Sequence, residues 1–177
     1  MLSAVGMPGS GKSTFLRRFA QEQRFFYWEN DVARRRLFDD PRHDQFEGKL
    51  LSRAARYVLE EALQADVSCV YDVNSNRRQH RQELARLAEL HGGRFWLLWV
   101  QTPLELARER TEQRRQAATG ELRTYYDGFG RTDPNYVEHM HQRLELPADD
   151  ERVIVLDGRA DYDEQRAAVL ERLAATA

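Results

Sequence analysis

The chain has 177 residues, about the length of one domain, and 41% of them are hydrophobic, which excludes a disordered chain. The longest apolar run has six residues and the mean hydropathy is -0.75, which excludes a membrane-spanning helix. Lys and Arg number 27 against 29 Asp and Glu, so a formal charge of -2 leaves no overall basic field to attract nucleic acid or a membrane.

Short apolar runs alternate with longer segments of helical periodicity along the chain. The apolar runs are mostly continuous, as in strands covered on both faces, and predict strands at residues 2–5, 25–28, 67–71, 95–100 and 153–156. The periodic segments predict helices at residues 12–23, 45–65, 77–90, 104–118, 136–144 and 162–174. This alternation predicts an α/β, doubly wound fold, with a five-stranded parallel sheet and helices on both faces, in a single domain over residues 1–177.

The first predicted strand leads into Gly6-Met7-Pro8-Gly9-Ser10-Gly11-Lys12-Ser13-Thr14 and then into a helix. This matches G-x-x-x-x-G-K-[ST] in the strand-to-helix context that the motif requires, although a Gly-rich turn can also be only a turn. The glycines let backbone N–H groups turn inward as an anion nest, and the helix directs its positive end at the phosphates. Lys12 is expected to reach the β and γ oxygens of a nucleotide, and Ser13 to ligate magnesium. Nucleotide contacts are expected from Gly6, Pro8, Gly9, Ser10, Gly11, Lys12, Ser13 and Thr14.

Lysine is almost absent from the chain. Of the 27 basic residues only Lys12 and Lys49 are lysines, and the other 25 are arginines. In a chain that uses arginine for nearly every positive charge, a lysine at position 12 indicates a role that needs a compact ammonium group, which a planar guanidinium would overfill. This supports a catalytic, phosphate-binding role for Lys12.

The second predicted strand is followed by Glu29-Asn30-Asp31, so Asp31 opens a helix at the carboxyl edge of the sheet. A carboxylate that faces the Gly-rich loop there can accept the proton of an acceptor hydroxyl, and Arg34, on the same helix face, can orient the acceptor. An ordinary N-cap is the alternative for Asp31. The segment 34–44 begins with three arginines, and a solvated helix end and turn is at least as consistent with it as a binding role.

The third predicted strand ends with Val70-Tyr71-Asp72, which places a carboxylate at the edge where open α/β sheets bind ligands. Asp72 is expected to hold magnesium, directly or through water, beside Ser13. The alternative is an aspartate that caps the turn before the next helix. Asn74 and Asn76 either contact nucleotide or acceptor or favour that turn.

Residues 102–115 begin Thr-Pro-Leu-Glu and continue with spaced arginines, of which Arg110 and Arg114 are four apart on one helix face. These two are predicted either to clamp the transferring phosphates or to pair with Glu109 and Glu112. The Gly-rich stretch 119–134 is long enough to be functional, and together with the preceding helix it predicts a lid at about residues 104–134.

The single Cys69 lies in an apolar stretch and is expected to be a buried thiol, because one cysteine cannot form an internal disulfide. The start of the chain has too short an apolar run for a signal peptide and no basic leader, so a cytoplasmic protein is expected. His139 and His141 fall on different helix faces, which favours surface histidines over a metal site.

In sequence order these motifs resemble the P-loop kinases grouped with the kinase domain of bacteriophage polynucleotide kinase, chloramphenicol phosphotransferase and the zeta-toxin kinases. The resemblance rests on residues 6–14, on Asp31 with Arg34, on Val-Tyr-Asp-Val-Asn-Ser-Asn-Arg-Arg at 70–78 and on Thr-Pro-Leu-Glu with its arginines. It implies an ATP-binding, AAA-type P-loop domain with the three-layer P-loop NTPase fold. It also implies that Asp31 is the base for the acceptor hydroxyl, that Arg34 binds an acceptor phosphate and that Arg114 contacts the donor phosphates.

The sequence therefore predicts a magnesium-dependent kinase that transfers the γ-phosphoryl group of ATP to a hydroxyl. A nucleic-acid 5′-hydroxyl is one acceptor, favoured by the arginines at 34–36, 77, 78 and 81 and opposed by the charge of -2. A small-molecule alcohol is the other. The alternatives to a kinase are a nucleotide-binding switch and an NTPase subunit that receives an arginine from a partner.

Overall fold

The computed structural model of the protein describes residues 1–119 and 135–175. No helix within these two ranges is long and apolar enough to cross a membrane. In chain order the elements are β1 (Leu2–Val5), α1 (Lys12–Gln23), β2 (Phe26–Glu29), α2 (Asn30–Leu37), α3 (Gln45–Gln64), β3 (Cys69–Asp72), α4 (Arg78–Leu90), β4 (Trp96–Gln101), α5 (Leu104–Ala117), α6 (Tyr136–Gln142), β5 (Val153–Asp157) and α7 (Tyr162–Ala174).

All five strands pair in parallel, in the order β2-β3-β1-β4-β5. The carboxyl ends of parallel strands meet at one edge, so the loops after β1, β2 and β3 lie side by side there. In the β2–β3 register Glu29 lies opposite Asp72, which brings the residues that end these two strands together. The sheet thereby places at one edge three segments that are far apart in sequence.

Helices cover both faces of the sheet. On one face α1 and α7 pack against alternate strand residues, among them Leu2 and Leu98. On the other face α3 and α4 pack against the intervening residues, among them Val5 and Leu97, and Cys69 is fully buried in this layer. Because both faces are covered, the strands are continuous hydrophobic runs. The structure confirms the predicted three-layer α/β architecture.

The predicted element ends differ from the observed ones by one or two residues, within the range over which helix and strand termini fray. The structure also contains α2, which is not among the predicted helix ranges and begins at Asn30, one residue before Asp31. The loop after α2 ends at Asp44, whose side chain accepts a hydrogen bond from the Glu47 amide at 2.9 Å and caps α3.

A buried arginine on α4 joins two connections of the chain. Arg81 is 1% exposed, and its Nε and Nη2 atoms donate to the Glu151 carboxylate at 2.6 and 2.9 Å. Its remaining N–H groups reach the carbonyl oxygens of Ser75, Glu145 and Leu146 at 3.0 to 3.3 Å. Burial alone would raise the pKa of Glu151, but hydrogen bonds from Arg81 and a backbone amide hold that pKa below its usual value. Arg81 therefore fastens the loop after β3 to the segment before β5.

Arg81→Met is expected to lower the free energy of unfolding by about 3–5 kcal/mol, because it leaves the Glu151 carboxylate buried without its partner. Arg78→Met is the matched control, because its pair with Asp150 joins side chains that are 45% and 61% exposed. Such a pair contributes about 0–1 kcal/mol. Urea unfolding of both variants measures the difference, and equal, small losses would show that the Arg81 network does not stabilise the fold.

Candidate functional site

The Gly-rich loop, residues 6–11, joins the end of β1 to the start of α1. Three of its glycines have positive φ angles: +149° at Gly6, +80° at Gly9 and +97° at Gly11. Gly11 is the N-cap of α1, and no side chain among the described residues caps this helix. The first N–H groups of α1 are therefore left for a ligand, and an anion bound there would lie at the positive end of the helix.

Lys12 folds back over the loop that precedes it. Its Nζ donates to the carbonyl oxygens of Gly6 and Met7, both at 2.7 Å, and lies 3.2 Å from Ser10 Oγ. Burial lowers the pKa of Lys12 to about 8; the carboxylate of Asp72 opposes this shift. The ammonium group is thus held by oxygen atoms of the Gly-rich loop.

The Gly-rich loop is packed closely against two other segments. A Cβ atom at Gly9 would lie 2.1 Å from the carbonyl oxygen of Ala107 on α5. A Cβ atom at Gly158, after β5, would lie 1.8 Å from Thr102 Oγ1, and this hydroxyl donates to Ser10 O at 3.3 Å. Thr102 was not among the predicted site residues, although it begins the Thr-Pro-Leu-Glu motif. These contacts with α5 and with the residues that follow β4 and β5 fix the position of the Gly-rich loop.

Asp72 ends β3 beside the first turn of α1 and is 8% exposed. The Tyr27 hydroxyl donates to it at 2.8 Å, and the Ser13 hydroxyl is near enough to act on its pKa. Burial raises the pKa of Asp72, and these two hydroxyls oppose the shift. The structure brings Ser13 and Asp72 together, as the sequence predicts, and their hydroxyl and carboxylate oxygens are donors that suit a magnesium ion.

Tyr27 and Glu29 on β2 lie next to Asp72 and were not predicted to belong to the site. Tyr27 Oη is 2.8 Å from Glu29 Oε2 and 2.8 Å from Asp72 Oδ2, and Arg17 Nη2 is 2.6 Å from Glu29 Oε2. Burial and the two carboxylates raise the pKa of Tyr27, so it stays a hydroxyl donor. No local sequence pattern marks these two residues. Their contact with Asp72 depends on the parallel pairing of β2 with β3.

Asp31 and Arg34 lie on α2, which directly follows β2. Asp31 is half-buried in the first turn of the helix. Arg34 Nη1 donates to Glu47 Oε2 at 2.5 Å, and the two side chains are 10% and 5% exposed. Glu47 also accepts the amides of Arg42 and His43 at 2.6 and 2.9 Å. Arg34 Nε is buried and has no hydrogen-bond partner within residues 1–119 and 135–175, so one donor of a firmly held guanidinium remains unused.

Arg110 and Arg114 share one face of α5 but have different surroundings. Arg110 Nη1 donates to the carbonyl oxygen of Gly158 at 2.8 Å and so holds the turn after β5. Arg114 is exposed, and its charge lowers the pKa of Lys12, after the larger effects of burial and Asp72. The two arginines of the predicted clamp therefore differ: Arg110 holds the turn after β5, and the charge of Arg114 acts on Lys12.

The first half of the predicted lid is α5. On this helix Glu112 pairs with Arg115 at 2.8 Å, and Glu109 accepts a hydrogen bond from Gln113 at 2.9 Å. Residues 120–134 of the predicted lid lie outside the described residues.

Several arginines that would favour a nucleic-acid acceptor are held by carboxylates of the protein. Two of the three pairs have buried arginine side chains, and only the third is exposed. The pairs are Arg34–Glu47, Arg81–Glu151 and Arg78–Asp150. The expected basic surface is smaller than the arginine count suggests.

Comparison with known proteins gives a family and a fold. A family model described as an AAA domain matches residues 1–147, and no curated protein sequence matches the chain. A sugar kinase from Janibacter sp. HTCC2649 has a TM-score of 0.68 and 19% identity, covering 99% of this chain and 94% of the other. A gluconokinase from Sinorhizobium meliloti 1021 has a TM-score of 0.65 and 17% identity, covering 98% and 91%.

An APS kinase from Mycobacterium tuberculosis, solved in complex with AMPPNP and APS, has a TM-score of 0.64 and 17% identity, covering 98% of this chain and 96% of the other. At such identities the similarity shows the fold, which is the three-layer α/β P-loop NTPase fold.

Proposed function

Because the chain belongs to the AAA domain family, we propose that it is a kinase that transfers the γ-phosphoryl group of ATP to a hydroxyl group. The observation that carries the proposal is the carboxyl edge of the sheet. Lys12 and Asp31 follow β1 and β2, and Asp72 ends β3, which lies between them in the sheet. They supply a group for the phosphates, one for the acceptor and one for the metal. Phosphoryl transfer needs these, because its catalysis is almost entirely positioning and electrostatic stabilisation.

The Gly-rich loop would bind the phosphates of ATP. The N–H groups at the start of α1 donate to phosphate oxygens, and Lys12 exchanges the carbonyl oxygens of Gly6 and Met7 for the β and γ oxygens. Arg114 carries its charge near Lys12 and would neutralise charge that develops on the transferred group. Arg110 contributes by holding the turn at Gly158.

Ser13 and Asp72 fit a magnesium ion, because both offer hard oxygen donors and the Ser13 hydroxyl is near enough to lower the pKa of Asp72. A magnesium ion held there would neutralise charge on the phosphate oxygens during transfer. The contribution of the chain is to hold the Asp72 carboxylate in a buried, hydrogen-bonded position next to the phosphate loop.

Asp31 would accept the proton of the acceptor hydroxyl while the phosphoryl group moves. Its place in the first turn of α2, at the same edge as the Gly-rich loop, supports this role. Arg34 would bind the acceptor through its unused Nε donor, since a buried donor without a partner gains from a ligand oxygen. The order of motifs that resembles the polynucleotide kinase group assigns the same two roles.

A small-molecule alcohol is the better supported acceptor. The similar structures are named as a sugar kinase, a gluconokinase and an APS kinase. Arg78 and Arg81, which would bind a nucleic-acid backbone, are already paired with carboxylates, and the formal charge is -2. A nucleic-acid 5′-hydroxyl is kept as a second class in the test.

The test is transfer from γ-labelled ATP with magnesium to four acceptor classes: sugars, nucleosides, aminoglycoside-like alcohols and nucleic-acid 5′ ends. Label is expected in a small-molecule alcohol. Label in nucleic-acid ends would keep the kinase and change its acceptor class. Tight ATP binding with no labelled acceptor in any class would favour the alternative, a nucleotide-binding P-loop NTPase or switch.

ATP binding is expected to take up protons in mildly alkaline solution. The pKa of Lys12 without nucleotide is about 8, so most Lys12 side chains are neutral somewhat above that pH. Phosphate oxygens favour the ammonium form and raise this pKa, so binding draws a proton onto Lys12. At about pH 8.5 the uptake should be a large fraction of a proton, and near pH 6.5 this group should contribute almost none.

Calorimetry of ATP binding with magnesium in two buffers of different ionisation enthalpy measures this uptake. The same uptake at both pH values would contradict a lowered pKa for Lys12.

A further inference from the structure

A tyrosine hydroxyl lies between the two carboxylates that end β2 and β3. Tyr27 Oη is 2.8 Å from both Glu29 Oε2 and Asp72 Oδ2. Tyr27 and Glu29 are two residues apart and so lie on the same face of β2, while Glu29 is opposite Asp72 in the register. Strand pairing therefore holds all three groups together.

This hydroxyl has one hydrogen and two carboxylates that can accept it. Glu29 Oε2 already receives Arg17 Nη2 at 2.6 Å, so that oxygen has a charged donor of its own. Asp72 is 8% exposed, and Tyr27 Oη is its hydrogen-bond donor at 2.8 Å. Because Glu29 already has a charged donor in Arg17, Asp72 gains more from the Tyr27 hydrogen than Glu29 does.

We propose that Tyr27 is a positioning residue for Asp72: its hydroxyl holds Oδ2 and thereby sets the orientation in which this carboxylate serves the magnesium–nucleotide complex. The inference rests on the proposed function, because it takes Ser13 and Asp72 as the residues that hold magnesium beside ATP. Tyr27 acts only through Asp72.

A carboxylate without such a donor rotates more freely about its terminal bond, and a metal ion must then order it on binding. Hydrogen bonds to the ligands of a metal typically change its affinity by about 10- to 100-fold. Tyr27→Phe removes the hydroxyl but keeps the ring, which packs against the core between the sheet and α1. A change in the effect of Mg²⁺ on nucleotide affinity therefore measures the contribution of the Tyr27 hydroxyl and not that of ring packing.

The experiment measures the affinity of the full chain for AMPPNP by equilibrium titration, at saturating Mg²⁺ and again in EDTA. The ratio of the two affinities is the readout, and a variant with a merely looser fold would change both affinities together. Tyr27→Phe is expected to leave the affinity in EDTA within about twofold and to lower the ratio by about tenfold or more. Tyr162→Phe is the matched control, because it removes a hydroxyl that donates to Glu22 at 2.7 Å, and its ratio should not change.

An unchanged ratio in Tyr27→Phe, with a normal ratio in the wild-type protein, overturns the inference and leaves the proposed function intact. An equal loss of affinity with and without Mg²⁺ also overturns it, because Tyr27 would then support the loop as a whole. If the wild-type protein binds no AMPPNP or gains nothing from Mg²⁺, the proposed function fails and the inference falls with it.

Glu29→Gln provides a second test that does not depend on Tyr27→Phe being folded. It removes the carboxylate that competes for the Tyr27 hydrogen, and the pair it breaks has an Arg17 side chain that is 58% exposed. The amide oxygen of Gln competes less well for this hydrogen than a carboxylate does, so Tyr27 then donates to Asp72. The ratio of the affinities with and without Mg²⁺ is therefore expected to be retained or increased. A tenfold loss of the ratio in Glu29→Gln would contradict the role given to Tyr27.

Discussion

Lys12→Arg will weaken binding of magnesium–ATP by at least about 100-fold, or about 2.7 kcal/mol. The ammonium group of Lys12 fits among the carbonyl oxygens of Gly6 and Met7 at 2.7 Å and Ser10 Oγ at 3.2 Å. A guanidinium group is planar and larger, so it cannot occupy this space and still reach the phosphates. The charge is conserved, and isothermal titration with ATP and magnesium measures the loss.

Lys49→Arg is the control for this substitution, because it makes the same chemical change at the other lysine of the chain, an exposed position on α3. It should bind ATP as the wild-type protein does. If Lys12→Arg also binds and turns over ATP normally, the phosphate-binding role of the Gly-rich loop is wrong.

Asp31→Asn will lower kcat for phosphoryl transfer by about 10²- to 10⁴-fold while the affinity for magnesium–ATP stays within about twofold. Asparagine has nearly the same shape as aspartate but cannot take the proton of the acceptor hydroxyl. ATP affinity should be preserved, because Asp31 lies on α2 and the Gly-rich loop follows β1. Transfer rates at saturating ATP, together with binding titrations, separate the two effects.

Asp39→Asn is the control, because Asp39 is an exposed aspartate just beyond α2. Its transfer rate should match that of the wild-type protein. Loss of ATP binding in Asp31→Asn, in place of loss of transfer, would show that Asp31 supports the nucleotide site and is not the base for the acceptor.

The parts of the fold that sequence reasoning predicts are those encoded by local pattern. Continuous apolar runs predict buried parallel strands, and the loop at residues 6–11 is recognisable because its glycines and Lys12 are adjacent in sequence. The proximity of Ser13 and Asp72 was also predicted, since both residues are placed by strand ends, and parallel strand ends meet at one edge of the sheet.

Contacts set by register and by loop packing were not predictable in the same way. Tyr27 and Asp72 are 45 residues apart, and their contact depends on β2 pairing with β3. Periodicity places Arg110 beside Arg114 on one helix face, but Arg110 bonds to Gly158, which is 48 residues away. Helical spacing fixes which residues share a face but says nothing about which segment packs against them.

Arg81 shows the same limit for charge. A cluster of arginines in sequence is normally a solvated, basic surface. Here Arg81 is 1% exposed and its N–H groups are taken up by Glu151 and by backbone carbonyls. Composition counts its charge, but only the fold shows that this charge is neutralised inside the protein.

The most direct test of the proposed kinase is where the γ-phosphoryl group goes. With γ-labelled ATP, magnesium and the identified acceptor, the label found in the acceptor is compared with the label released as inorganic phosphate, for the wild-type protein and for Asp31→Asn. The proposal predicts that most label reaches the acceptor in the wild-type protein and that Asp31→Asn loses this transfer. Release of the label as inorganic phosphate alone, at the same rate in both proteins, would contradict it.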